Sequence, residues 1–279
     1  MSFETFIPVV WATQLNKDLD RKLVFAENTN RQYEGLVKDV GDSVKILGIG
    51  KPSLTHSNDG KLPKAPTPEE IEGTSMTMPI TQVETFNFGV GDLDKAQAKP
   101  KGELSMYMEE VRDQISSAQD AFIAGLVTDD NIKVLDKSSA NTTKSNILGY
   151  LDEALLGLLE NDVSRDTNIT VTAPPWFNIL LKNAYVDLDT NNSEMMRNGR
   201  VGRYGSMIIK ESNNVYKDSD GFYHIQVKTD RAISFVKPHI HVEPYRHPDY
   251  FKDFVKGWAL YDGKVTRPKE IIDLKVKRA

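Results

Sequence analysis

Residues 102–129 read GELSMYMEEVRDQISSAQDAFIAGLVTD. Apolar side chains recur at Leu104, Met108, Val111, Ile115, Ala118, Phe122 and Leu126, in steps of three and four residues. That spacing lays them in one narrow stripe along a helix. Glu109, Arg112, Asp113, Gln119 and Asp120 fall mostly on the other face, and no proline interrupts the run. At 1.5 Å per residue such a helix is roughly 40 Å long, where a typical one has about 11–12 residues. A lone helix with so narrow a stripe suits a beam lying across something flat. The alternative is a coiled-coil seam, but the pattern stops after about three and a half heptads.

Upstream of the beam, residues 41–51 (GDSVKILGIGK) read as a strand leaving a turn, and residues 74–90 (TSMTMPITQVETFNFGV) as its returning partner. Met76, Met78, Ile80, Gln82, Glu84, Phe86 and Phe88 share one face of the returning strand by period two. Pro79 marks an edge position or a bulge. The segment between the strands is rich in proline and carries Asn58-Asp59-Gly60, the composition of a loop tip. A two-stranded hairpin is marginal in water, so this one asks for a partner surface. Further upstream, Trp11, Leu15, Leu19 and Leu23 recur every fourth residue and predict a short amphipathic helix. Such an arm docks on its own core or on a neighbouring subunit.

Downstream, residues 131–141 read as a polar connection. A second helix is predicted over 142–160, with Ile147, Leu148, Leu151, Leu155, Leu158 and Leu159 on a broad apolar face. Residues 169–172 form a short strand, and Pro174-Pro175 open a third helix, with proline in its allowed first turn. The expected core comes from Leu151, Leu155, Leu158, Trp176, Ile179 and Leu180. Strands follow at 205–212, 222–228 and 233–243, the last two joined as a hairpin through Thr229, Asp230 and Arg231. DYFKDFVKGWALYDG (249–263) reads as a short helix closed by Gly263, and a strand over 270–277 ends the chain. The class is α+β.

Composition excludes several functions. Among 279 residues, 39% are hydrophobic and 27% charged, an ordinary soluble balance. A net charge of −5 gives no overall basic footprint for nucleic acid. With no cysteine there is no disulfide, thiolate metal site or cysteine nucleophile, and the chain suits a reducing compartment. The N-terminus is not built as a secretory signal, and no apolar run approaches the ~20 residues of a membrane span.

Candidate catalytic features are weak. His239, His241 and Glu243 project to one face of a strand and His247 lies just beyond, a metal-like set whose plainer reading is a polar strand face. Gly199-Arg200-Val201-Gly202-Arg203-Tyr204-Gly205 resembles a phosphate-cradling loop, but it precedes a strand and lacks the Gly-Lys-Ser/Thr ending. The pairs Glu109-Glu110 and Asp129-Asp130 have no histidine beside them in sequence and read as solubilising charge. No serine sits in a nucleophile elbow. No catalytic residue, metal or cofactor is expected. Charge is uneven: five basic against eleven acidic residues over 101–160, eleven against six over 231–279. Opposite-signed regions suit self-association.

Taken in order, these segments resemble the major capsid proteins of tailed phages with the Hong Kong 97 fold. WATQLNKDLDRKLVFAENTNRQYEGLVKDVGDSVKI (11–46) is similar to their N-terminal arm and first extended-loop strand, and TSMTMPITQVETFNFGVGD (74–92) to the returning strand. The helix from Gly102 is similar to their spine helix, and TAPPWFNILLKNA (172–184) with GRVGRYGSMIIKESNNV (199–215) to their axial domain. GWALYDGKVTRPKEIIDLKVK (257–277) is similar to its closing segment.

The resemblance implies an arm over 1–40 and an extended β-hairpin loop over 41–100. It implies a peripheral domain over 101–140 and 221–250, and an axial domain over 141–220 and 251–279. It implies an icosahedral shell of hexamers and pentamers around double-stranded DNA held without sequence-specific contact, in a virion assembled in the host cytoplasm. Separate scaffolding and portal proteins are the expected partners, and no membrane. Trp11, Leu15, Leu19, Leu23, Met76, Met78, Ile80, Phe86 and Phe88 are the expected inter-subunit contacts. The chain is short for this class, with no inserted domain, and no cross-linking lysine–asparagine pair can be placed. An encapsulin-like compartment shell and, from a different class, a metal-dependent enzyme using His239, His241, Glu243 and His247 are the alternatives.

Overall fold

A computed structural model of the chain describes residues 23–34, 43–48, 56–58, 74–91, 103–164, 166–186, 202–246 and 252–278. The stripe does form one long helix, α1 (Glu103–Gly125), which tightens into a 3₁₀ turn at Leu126–Thr128. Its 23 residues make a rod of about 35 Å. The flat partner of its first half is a three-stranded antiparallel sheet of order β3-β10-β9, formed by β3 (Gln82–Gly91), β9 (Ile233–Arg246) and β10 (Lys252–Val265). Met108, Val111 and Ile115 pack there against Phe86, Phe88, Ile240, Val242, Val255 and Ala259. Pro238 and Pro244 fit β9 because it is an edge strand, paired on one side only, where proline is tolerated.

The expected helix over 249–263 is instead the central strand β10. Phe251, Phe254, Val255 and Trp258 fall at a helical spacing, although the segment is extended. Pairing on both sides settles it: Val255, Gly257, Ala259 and Tyr261 turn one way, while Phe254, Lys256 and Trp258 turn the other.

A six-stranded sheet has the order β4-β11-β8-β5-β7-β6. Its strands are β4 (Lys133–Thr142), β5 (Ile169–Ala173), β6 (Arg203–Tyr204), β7 (Met207–Glu211), β8 (Tyr223–Thr229) and β11 (Ile271–Arg278). The supposed polar connection at 131–141 is thus mostly an edge strand, parallel to β11, and edge strands can be polar because only one side is paired. β8 and β9 are not a hairpin either. Each is claimed by a different sheet, β8 between β11 and β5 and β9 beside β10, so the short link at 230–232 crosses between sheets. A second crossing runs from β10 to β11, and the two are stitched together. Ala232 O accepts the N–H groups of Thr266 (2.9 Å) and Arg267 (3.1 Å). Glu270 accepts bonds from Thr229 Oγ1 and from Arg267 Nη1.

One face of this sheet carries the main core. α2 (Ile147–Leu159) and α3 (Pro175–Val186) cover Ile169, Val171, Ile225, Val227, Ile272, Leu274 and Val276 with Leu151, Leu158, Phe177 and Leu181. Of the expected core, Leu151 and Leu158 are fully buried, and Leu155, Trp176 and Leu180 pack on its margin. Ile179 does not belong; it is 60% exposed, because the helix phase sends Phe177 and Leu181 inward instead.

The opposite face is polar. His224 Nδ1 lies 2.7 Å from Asp273 Oδ2, and Nε2 lies 3.5 Å from Asp218 Oδ2, which also takes Lys275 Nζ at 2.8 Å. Burial pulls the His224 pKa down, but Asp273 and then Asp218 outweigh it and hold it above the ordinary 6.5. The stabilising contribution of the imidazolium is therefore complete below pH 6.5 and is lost as pH rises through the raised folded value. Asp218 behaves oppositely. Burial works against its charge, yet Lys275, the Phe222 N–H and His224 hold it at about 2. Its contribution is present above 3.8 and is lost as pH falls through about 2. We expect the His224 ring protons to titrate with a midpoint above the ordinary value in NMR spectra, and Asp273→Asn to lower that midpoint. An unchanged midpoint in the variant would contradict the network.

Candidate subunit-contact surface

The hairpin forms as expected at its base. β1 (Ser43–Gly48) and β2 (Thr74–Pro79) pair antiparallel, with Ser43 opposite Pro79 and Gly48 opposite Thr74. The returning strand then changes partner, because β3 pairs with β10 and not with β1. Alternation still runs through both halves, with even-numbered residues from Met76 to Phe88 turned inward.

That inward face is claimed largely by the chain itself. Met78 and Ile80, expected at subunit contacts, are each 1% exposed and pack with Val44, Ile46, Val236 and Leu260. Met76 lies partly buried on the same cluster, and Phe86 and Phe88 lie partly buried under α1. The base of the hairpin therefore has an intramolecular support. The sequence hid it because the supporting strands lie more than 150 residues further along the chain.

Leu23 is corrected in the same way. It is 3% exposed, in a junction cluster with Phe25, Ala26, Ile123, Phe235 and Ile271. Trp11, Leu15 and Leu19 lie outside the described residues. The arm is anchored from residue 23 onward by charged side chains, of which Asp120 and Lys228 are buried and carried no sequence signal beyond their place among apolar neighbours. Asp120, inside α1, accepts the backbone N–H groups of Val24 (2.9 Å), Phe25 (3.1 Å) and Ala26 (3.3 Å). Lys228 Nζ donates to Asn28 O at 2.7 Å. Lys210 Nζ binds Glu27 and, at 3.2 Å, Asn28 Oδ1. Burial pushes the Asp120 carboxyl up against the pull of those N–H groups, and it lowers the wholly buried Lys228 to about 7.

The face of the three-stranded sheet away from α1 is a ladder of stacked pairs. His241 lies on Trp258 with ring centroids 5.9 Å apart, and Tyr245 on Phe254 at 5.3 Å. Lys256 pairs with Glu243 at 3.2 Å and sits over the Tyr245 ring. His241 and Glu243 are exposed members of this ladder, while the side chain of His239 and the whole of His247 lie outside the described residues. Among the described residues no group of three or more His, Cys, Asp or Glu side chains could hold a metal ion. Of the glycine-rich loop, Gly199, Arg200 and Val201 lie outside the described residues, and Arg203 to Gly205 enter the tight β6–β7 hairpin, with Gly205 at φ +57° supplying its turn. Among the described residues, no helix is long and apolar enough to cross a membrane.

No family model matches the sequence, and no curated protein matches it. Solved structures do. A structure from Mycobacterium phage Che8 superposes with a TM-score of 0.75 at 25% identity, covering 90% of each chain. The capsid structure of Cyanophage P-SCSP1u gives 0.70 at 16% identity, over 92% of this chain and 89% of that one. A virus-like particle from Pyrococcus furiosus gives 0.59 at 13% identity, over 95% and 97%. The chain has the fold of tailed-phage capsid proteins. That fold is of the mixed α+β class, and its structural relatives are shell proteins.

Proposed function

We propose that this chain is the major capsid subunit of a tailed double-stranded DNA phage, with the Hong Kong 97 architecture. The observation that carries the reading is superposition on a structure from a mycobacterial phage across nine-tenths of both chains, at a TM-score of 0.75. We draw the peripheral part as α1 with the three-stranded sheet and the axial part as the six-stranded sheet with α2 and α3. This moves β10 out of the expected axial span 251–279 and β4 and β8 out of the expected peripheral spans 101–140 and 221–250. Subunits join as hexamers and pentamers of an icosahedral shell. Trp11, Leu15 and Leu19 of the arm, with the parts of Met76, Phe86 and Phe88 left uncovered, supply apolar contact. DNA is enclosed without sequence reading, since a net charge of −5 leaves no overall surplus of lysine and arginine to neutralise phosphates. Scaffolding and portal proteins are separate chains, and assembly takes place in the host cytoplasm.

Electron microscopy of the purified protein is expected to show closed shells; dispersed subunits under every assembly condition would refute the proposal. The second reading is an encapsulin-like compartment, favoured by the near-complete overlap with the Pyrococcus furiosus particle. Shells that purify with a cargo protein and no DNA would select it.

A further inference from the structure

We propose that Asp262 is the pin that fixes the angle at which the β1–β2 hairpin leaves the subunit. The returning strand pairs with β1 up to Pro79 and with β10 from Gln82 onward. Only Ile80 and Thr81 carry the change of partner, so their dihedrals set the hairpin's direction. Ile80 is plugged into the cluster around Val236 and Leu260, which resists sliding. Rotation is held by Asp262. Its Oδ2 accepts both the N–H of Thr81 (2.8 Å) and the Thr81 hydroxyl (2.9 Å), and its Oδ1 accepts the N–H of Gly263 (2.7 Å).

The carboxylate points at Thr81 because the β9–β10 ladder shifts register between Leu260 and Asp262, and such irregularities re-aim side chains. Its neighbours hold both sides of the same joint. Tyr261 donates to Glu84 Oε1 on β3 at 3.1 Å, and Lys264 Nζ donates to Thr77 O on β2 at 3.0 Å. Bonds to a carboxylate are shorter and stronger than neutral ones, and Asp262 is 7% exposed, so water competes poorly. Without the carboxylate, the Thr81 N–H and hydroxyl lose their acceptor, and the joint is held only by the packing around Ile80 and by the Lys264 bond, which fix its rotation less tightly. The geometric statement stands on these bonds; its bearing on assembly rests on the shell function proposed above.

The chain lacks cysteine, so Lys45→Cys with Thr85→Cys gives a unique pair of nitroxide labelling sites. Both are exposed, one on β1 and one on β3. Pulsed electron double resonance on the full-length subunit should give one narrow distance distribution in the parent. Asp262→Ala should broaden or shift it. Thr81→Val, which keeps the backbone N–H, should do so less and serves where Asp262→Ala fails to fold. A parent-like distribution in a folded variant overturns the pin. Electron microscopy of the same variants is expected to show a loss of closed shells. A broadened distribution with undiminished shells overturns the link to assembly while leaving the pin. No shells from the parent would instead overturn the shell function.

Discussion

Asp120→Ala is expected to destabilise the subunit by about 3 kcal/mol or more, since buried donors left without an acceptor cost about 1–3 kcal/mol each. The N–H groups of Val24, Phe25 and Ala26 would lose their acceptor together. Lys228, wholly buried, would lose the carboxylate that favours its charged form. Because Phe25 and Ala26 are fully buried in the junction cluster, the anchor cannot let go without opening that cluster. The midpoint of urea unfolding should fall accordingly. Asp120→Asn keeps one acceptor oxygen and should fall between the two. A midpoint unchanged in Asp120→Ala would show that the arm does not depend on this carboxylate.

Gly257→Ala carries the second large effect. A Cβ there would overlap the carbonyl oxygen of His241 on β9 and the ring of Phe86 on β3. The first is backbone in a paired strand and cannot swing aside. Overpacking typically costs about 1–3 kcal/mol, and the upper end applies where strand spacing must give. Gly149 of α2 is the matched control. Nothing lies within 4 Å of a Cβ built on it, so alanine there should stabilise by about 0.5–1 kcal/mol through helix propensity. The same exchange thus has opposite signs at the two sites. Equal effects in denaturant unfolding would contradict the packing described for β10.

The elements most legible in the sequence were those specified locally. The stripe of α1, the alternation of β3 and the Pro174-Pro175 entry to α3 each follow from period or backbone restriction. Fold class and order followed from them. Pairing did not, because nothing near residues 82–91 announces that β10 completes their ladder. The same blindness made β10 look helical and left β4 a loop. It also assigned Met78 and Ile80 to a neighbour, since their alternation is equally consistent with intramolecular and intermolecular cover. Asp120, Lys228 and Asp262 were invisible as a group. A charged residue among apolar ones is a signal only once its distant partner is known.

The stitched pair of crossings between the two sheets has a mechanical consequence. A force that separates the sheets is carried along two covalent backbones in parallel, and the hydrogen bonds on Ala232 and Glu270 tie those two backbones together so that they share the strain. The hairpin is attached differently: its base is held to the body by non-covalent contacts, the Val236–Leu260 cluster and the bonds made by Asp262 and Lys264. Under outward load, the body of the subunit is therefore the stiff member and the hairpin the compliant one.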